Sequence, residues 1–258
     1  MRIITQGPED AYANMAMDEA ITEAVRQELS PPTLRIYQWT RPSLSIGYFQ
    51  KNTDINLQYC REMKLPVVRR LTGGRAILHD RELTYSFSAL NSHELFRGNL
   101  FETYKIISNA LIRCLLSCGI DATISLEKKR SQTHKNPACF KAVSFGEISV
   151  AGKKIIGSAQ KRFENSFLQH GSMLLGFSPE NLNTVLNYEG PESFETVTSL
   201  ENLAPGVTIT ELCLSLKEAF QQEFEVQFIE DAPTRFETGL AKDLRKNKYA
   251  TDEWNCKR

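Results

Sequence analysis

The densest concentration of chemistry-bearing residues in this 258-residue chain is Val68 to His79, VRRLTGGRAILH, which sets three arginines around a Gly-Gly pair. A Gly-Gly pair by itself marks a tight turn. Beside Arg69, Arg70 and Arg75 it gains a second meaning, because backbone without a Cβ admits a ligand closely and guanidinium forks grip a phosphate or a carboxylate. Arg70, Gly73, Gly74 and Arg75 are therefore candidate binding residues. Strand alternation places Arg75, Ile77 and His79 on one face, so His79 either lines the same pocket or serves as a structural histidine.

A second cluster is Gly152 to Ser158, GKKIIGS, with Lys153 and Lys154 between two glycines. Adjacent strand residues face opposite sides of a sheet, so one of the two lysines points inward if this segment is a strand. An inward lysine supplies a fixed positive charge for a carboxylate, a phosphate or a thiolate; two solvated turn lysines are the plainer reading. Gly157 and Ser158 leave room for a close ligand. Of six cysteines, Cys114, Cys118 and Cys213 fall on apolar helical stripes, where cysteine is core filling, and Cys60 and Cys256 stay undistinguished. Cys139 differs: it follows Pro137 at the end of a polar run, Glu127 to Lys135, that reads as a surface loop. A thiol with the ordinary pKa near 8.5 is only a few per cent thiolate at pH 7 unless a cation lowers it. No C-x2-C pair exists, so no metal site is expected.

The elements that must position these groups follow from periodicity. Met17, Ile21, Ala24, Val25 and Leu29 recur at helical spacing and predict a helix over Asn14 to Leu29, with Asp18, Glu19, Glu23, Arg26 and Glu28 on its other face. A second helix is expected from about Leu100 to Cys118, stopped by Gly119, and a third from Thr208 with the capping box Thr208-x-x-Glu211. Short strands are expected around Leu34 to Trp39, Ser43 to Tyr48 and Val67 to Arg70, with Ala76 to Ser88 split at Asp80-Arg81 into a hairpin. Gly146 to Leu175 reads as successive hairpins. Runs of strands with few helical crossovers predict a single α+β domain, a mainly antiparallel mixed sheet flanked by helices.

The 31 basic and 31 acidic residues give a net charge of zero, so no global field favours a nucleic acid or a membrane, and charged partners must be met by local clusters such as Glu127 to Lys141 or Arg245 to Lys248. No apolar run of about 18 residues and no secretory leader pattern is present, which predicts a cytoplasmic protein with free thiols.

Seven segments occur together in an order that resembles the biotin/lipoate protein ligase and acyltransferase family: NMAMDEA at Asn14, RPSLSIGYFQ at Arg41, VRRLTGGRAILH at Val68, ACF at Ala138, GKKIIGSAQKR at Gly152, LQHGSMLL at Leu168 and KYATDEW at Lys248. The resemblance implies the family's catalytic-domain fold over 1–258, with a core of about 30–225 and a C-terminal helical tail, 233–258, packed on it. Within the family the chain is most similar to the octanoyltransferases, because Arg75 follows the Gly-Gly pair where ATP-dependent ligases carry a third glycine, and because ACF places Cys139 where the transferases hold their acyl-thioester. On that resemblance Cys139 is the nucleophile and Lys154 lowers its pKa. Ser158 and the backbone at Gly73 and Gly74 hold the acyl carbonyl, His79 and His170 shape the pocket, and an acyl tunnel lies near Leu71, Ile77 and Tyr85. The implied partners are octanoyl-acyl carrier protein as donor and apo lipoyl-domain proteins as acceptor, with no cofactor. The alternatives are an ATP- and Mg-dependent lipoate ligase, in which Arg70, Lys154 and the glycine turn bind an acyl-adenylate, a non-catalytic lipoyl- or acyl-binding homologue, and an amidotransferase. No accessory domain is expected after KYATDEW.

Overall fold

The computed structural model describes residues 1–124, 147–187 and 196–258. In chain order these form β1 (Arg2–Thr5), α1 (Ala11–Arg26), β2 (Thr33–Tyr37), β3 (Ser43–Ile46), α2 (Leu57–Glu62), β4 (Val67–Arg69), β5 (Ile77–His79) and β6 (Glu82–Leu90). Then follow α3 (Leu100–Ser117), β7 (Thr123–Ile124), β8 (Ile148–Val150), β9 (Lys153–Arg162), β10 (Ser166–Leu174), α4 (Pro179–Thr184) and α5 (Leu200–Leu203). The chain closes with α6 (Ile209–Phe224), β11 (Ile229–Glu230), α7 (Arg235–Leu244) and α8 (Asp252–Asn255).

Among the described residues the strands build an eight-stranded sheet in the order β11-β1-β2-β6-β10-β9-β8-β7 and a three-stranded sheet, β4-β3-β5. Pairing is parallel only between β11, β1 and β2 and between β3 and β4; everywhere else it is antiparallel. This is the single-domain α+β architecture with a mixed sheet that the sequence predicts. Among the described residues no helix is long and apolar enough to cross a membrane.

The central strand β6 explains how the layers stack. Its alternating residues Leu83, Tyr85, Phe87 and Ala89 enter the main core, where Phe87, Phe96, Phe167, Phe220 and Phe224 pack with ring centroids 5.3 to 6.2 Å apart. Each fully buried phenylalanine contributes about 1.5–3 kcal/mol. The helices on that face, α3 and α6, begin with capping boxes, Asn99 with Glu102 and Thr208 with Glu211. In both, the side chain and the carboxylate satisfy backbone N–H groups that the first turn leaves open. Gly119 ends α3 with φ +77°, a conformation that suits glycine. Cys118 caps α3, half-buried, while Cys114 lies fully inside.

The intervening residues of β6, Thr84, Ser86 and Ser88, are also buried, because α1 covers them. Asp10 caps α1 by accepting from Tyr12 N and Ala13 N at 2.9 Å each. The helix ends sooner than its periodicity predicts. Glu28 turns left-handed at φ +59°, and Leu29, expected on the apolar stripe, is 56% exposed. Asp18, expected on the solvent face, is 2% exposed and faces the sheet.

A second departure concerns Ala76 to Ser88, expected as a hairpin. β5 pairs with β3 in the small sheet, whereas β6 pairs with β2 and β10 in the large one. The turn at Asp80-Arg81 therefore moves the chain between sheets, and the gap between those two sheets becomes the site. The C-terminal helices close the other side of α1, where Ala241 and Tyr249 pack with Ala11, Met15, Ala16 and Ala20.

Candidate active site

The glycine turn is positioned from inside. Arg70, buried, donates from Nη2 to Gly73 O at 3.0 Å and to Arg75 O at 2.7 Å, and from Nη1 to Ser45 O and Ser45 Oγ at 3.1 Å. Those donors hold the turn in shape, a role the sequence reading of Arg70 as a ligand grip did not include. Gly74 has φ +90°, and a Cβ there would stand 2.8 Å from Arg70 Nη2. A Cβ on Gly47 would lie 1.9 Å from Gly74 O, so the exit of β3 and the turn touch backbone to backbone. Gly47→Ala should therefore lower stability by about 1–3 kcal/mol, as overpacking does. Gly73→Ala, whose added carbon meets nothing within 4 Å, should cost clearly less in the same urea titration.

Beneath the turn lies a narrow cavity that opens to solvent. Gly74, Arg70, Ser45, Ile77 and His79 form the wall from the small sheet; Tyr37, Trp39, Thr84, Gly157, Ser158, Ala159, His170, Gly171 and Ser172 form the wall from the large one, and Met15 of α1 closes the floor. The room comes from four small neighbours, since Gly171 pairs with Ser158 and Ser172 with Gly157 across β10 and β9. A Cβ at Gly171 would come within 2.7 Å of Tyr85 Cε1. Tyr85, expected to line a tunnel, instead backs the sheet: its hydroxyl meets Ser158 Oγ at 2.8 Å and accepts from Gln169 at 3.0 Å, and burial pushes its pKa up to about 12. Ile77 lines the cavity and Leu71 does not.

Two histidines sit in the wall with different partners. His170 Nε2 is 2.6 Å from Thr72 Oγ1 and its Nδ1 is 3.4 Å from Asp18 Oδ2, which ties the turn to α1 across β10. Asp18 also accepts from Arg35 at 2.7 Å, Ser86 at 2.7 Å and Tyr37 at 2.8 Å. Burial alone would raise its pKa, but the hydrogen bond from His170, the Arg35 charge and the Ser86 hydroxyl outweigh it and hold Asp18 below the ordinary carboxylate value. His79 stacks on Trp39 with centroids 3.8 Å apart and its Nε2 is 2.8 Å from Ser45 Oγ. Because Arg70 donates to Ser45 Oγ, the serine hydrogen is free for His79 Nε2, leaving the proton on Nδ1, 3.4 Å from Glu82 Oε1 and not aligned as a hydrogen bond. Burial lowers the His79 pKa, so the ring is neutral near pH 7. Glu82 in turn accepts from Thr84 and Ser172, and Thr84 Oγ1 accepts from Trp39 Nε1 at 2.9 Å.

Of the residues singled out in the sequence, Arg70, Gly74, His79, Gly157, Ser158 and His170 meet at this cavity. Gly73 lies in the turn above it. Arg75 is half-buried, and its Nη1, though shielded from solvent, has no hydrogen-bond partner among the described residues. Lys154 does not line the cavity; it stands four residues before Ser158 on β9, about 13 Å along the strand. It is the inward lysine of its pair, 1% exposed against exposed Lys153, and forms an ion pair with buried Glu147. Its backbone also bridges to the segment at Val197. Cys139 and its loop lie outside the described residues. Among the described residues no cluster of histidine, cysteine and carboxylate side chains is arranged to hold a metal. The sequence reading missed Met15, Asp18, Trp39, Ser45, Thr84 and Ser172. The signal available for Met15 and Asp18 was their place in NMAMDEA, for Ser45 in RPSLSIGYFQ and for Ser172 in LQHGSMLL; Trp39 and Thr84 carried none.

The family model of the lipoyl protein ligase A/B catalytic domain matches residues 10–221. An octanoyltransferase LipM from Brevibacillus brevis is 38% identical over 271 residues, covering 99% of this chain and 98% of that protein. The octanoyltransferase LipM of Clostridioides difficile is 37% identical over 268 residues, 100% and 98% of the two chains. Among solved structures, a putative lipoate protein ligase from T. acidophilum with bound lipoic acid superposes with a TM-score of 0.83 at 27% identity, over 99% of this chain and 98% of that one. A lipoate-protein ligase A bound with ATP gives 0.84 at 27% identity, with the same coverage. The chain belongs to the lipoyl protein ligase A/B catalytic-domain family.

Proposed function

We propose that this chain is an octanoyltransferase of lipoate biosynthesis that passes the octanoyl group from acyl carrier protein to a lysine of a lipoyl domain through a thioester on Cys139. The octanoyltransferase assignment rests on the full-length identity of 37–38% to octanoyltransferases. The observation in the fold that supports it is the cavity: Met15, Trp39 and Ile77 give it apolar walls, and Arg70, His170 and Ser172 are already hydrogen-bonded to the protein around them. Such a space suits an aliphatic acyl chain, which brings no hydrogen bonds of its own.

The chemistry is an exchange of thioesters followed by aminolysis. The Cys139 thiolate attacks the donor carbonyl, a new S–C bond forms, and the carrier's thiol leaves as thiolate. The neutral acceptor amine then attacks the same carbon, the C–N bond forms, the C–S bond to Cys139 breaks, and the amine's proton goes to the departing sulfur, restoring the free thiol. Lys154, as a buried ammonium, favours the thiolate in both steps. The backbone at Gly73 and Gly74 supplies the donors proposed for the carbonyl oxygen, while Ser158, about 13 Å along β9 from Lys154, lines the space for the acyl chain.

ATP-dependent lipoate ligation is the second reading, favoured by the likeness to the ATP-bound ligase. Incubation with octanoyl-acyl carrier protein and an apo lipoyl domain, without ATP, separates the two. Intact-mass analysis should find one octanoyl increment on the enzyme and then on the acceptor. Modification that appears only with ATP and free lipoate would instead establish the ligase.

A further inference from the structure

Beside the cavity the surface carries a crowd of cations on aromatic rings that the chemistry above does not use. Lys257 Nζ lies 3.4 Å from the Trp254 ring centroid and 3.9 Å from that of Tyr48. Lys161 Nζ is 5.2 Å from Tyr48 and 4.8 Å from Phe163; the Arg258 guanidinium is 5.1 Å from Phe49 and 5.7 Å from Tyr48. Phe49 itself is 68% exposed. The expected basic segment Arg245 to Lys248 is different, because Arg245 is paired with Asp10 and Lys248 with Glu19. Lys161, Lys257 and Arg258 have no carboxylate at ion-pair distance among the described residues.

The ring faces attract these cations without neutralising them. Burial against the rings, together with the charges of Arg69, Lys248, Arg258 and Lys161, pulls the Lys257 ammonium down to about 8. An anion placed among them would relieve that repulsion. The cluster also adjoins the site: Lys161 follows Ala159 of the cavity wall by two residues, on the same face of β9, and Tyr48 follows Gly47, whose backbone touches the glycine turn.

Resting on the octanoyl-transfer reading, we propose that Lys161, Lys257 and Arg258, with exposed Phe49 beside them, form the docking surface for the acyl donor, binding the phosphodiester of its prosthetic arm and the acidic face of its carrier. The acceptor is disfavoured there on charge, because it must deliver a lysine, which arrives as an ammonium and is repelled by the same cations. A phosphodiester is a compact anion carried on the arm that bears the thioester. Salt should therefore weaken donor capture, since part of the attraction is long-range.

The test is a Lys161→Glu/Lys257→Glu variant, with Phe49→Ser as a second, uncharged change at an exposed position. Melting temperature checks that each folds. The expected result is a ratio of KM for octanoyl-acyl carrier protein to KM for the neutral thioester octanoyl-N-acetylcysteamine that rises at least about tenfold in the charge-reversal variant. A titration with holo-acyl carrier protein carrying no acyl group should lose affinity by a similar factor and lose its salt dependence. An unchanged ratio and unchanged affinity in both variants would overturn the surface while leaving octanoyl transfer intact. A raised KM for the lipoyl domain with the donor unaffected would assign the surface to the acceptor and equally overturn it. A wild type that ignores the carrier-bound donor would sink the proposed function, and this surface with it.

Discussion

Replacing Lys154 with methionine should slow formation of the acyl-enzyme at pH 7 by about 30-fold and destabilise the fold by about 3–5 kcal/mol. The two effects have separate causes. Stability falls because Lys154 and Glu147 are both buried and paired, so removing the ammonium leaves a carboxylate inside the protein without it. Activity falls because, in the mechanism proposed above, the ammonium favours the Cys139 thiolate; without it the thiol returns toward a pKa near 8.5. The variant's acylation rate should then climb about tenfold per pH unit until that value, whereas the wild type should already be near its plateau. The double variant Lys154→Met/Glu147→Gln keeps the volume, removes both charges and should recover most of the stability. It should not recover the rate. Stopped mass measurements of the acyl-enzyme across pH, with urea titrations beside them, read both effects. Recovery of full activity in the double variant would show that Lys154 serves only the fold.

Asp18→Asn should destabilise the protein by about 3–5 kcal/mol at pH 7, through the loss of a charge that several elements share. Arg35 from β2, Ser86 from β6, His170 from β10 and Tyr37 all converge on that carboxylate. The asparagine keeps the size but leaves the Arg35 guanidinium, 1% exposed, with neutral partners, Gln6, Asn14 and the Tyr37 ring 3.8 Å away. The pH dependence has a definite sign. Asp18 is held below its unfolded pKa of 3.8, so its contribution is complete above that value and is lost as pH falls through the lower folded one. Wild-type and variant stabilities should accordingly converge toward acid, and stay apart from about pH 5 upward. Urea unfolding at pH 7, 5 and 3 decides it; a constant difference across that range would mean that Asp18 acts by shape and not by charge. Because His170 links this carboxylate to Thr72, the variant should also loosen the turn above the cavity.

The features that were legible in the sequence are those that a short stretch of chain controls. The helices α3 and α6 start where Asn99 with Glu102 and Thr208 with Glu211 can close their first turns, and α3 stops at Gly119. The β8-β9-β10 meander follows from alternation interrupted by turn residues, with Ala151 and Gly152 both left-handed in the first turn. The residue types at the glycine turn, the inward lysine and the order of the seven segments also belong to the sequence. Those were sufficient for the α+β class and for the family.

What the tertiary structure decided is partnership. Periodicity placed Asp18 with Glu19, Glu23, Arg26 and Glu28 on the outer side of α1, yet of these five it is Asp18 that is buried, because Arg35, Ser86 and His170 arrive beneath it from strands distant in the chain. Alternation in β6 similarly gives Thr84, Ser86 and Ser88 a polar face, and α1 buries it. The local pattern at Asp80-Arg81 is the same whether β5 and β6 pair with each other or with strands of two sheets; only the competition among all strands selects the second arrangement and opens the cavity between the sheets. Arg70 could have reached outward to a ligand, but Gly73 O, Arg75 O and Ser45 surround it on closing. The sequence by itself determined which chemical groups the protein owns and the local elements that carry them; long-range pairing determined which groups meet, because hydrogen bonds and burial are satisfied by whichever neighbours the whole fold brings within reach.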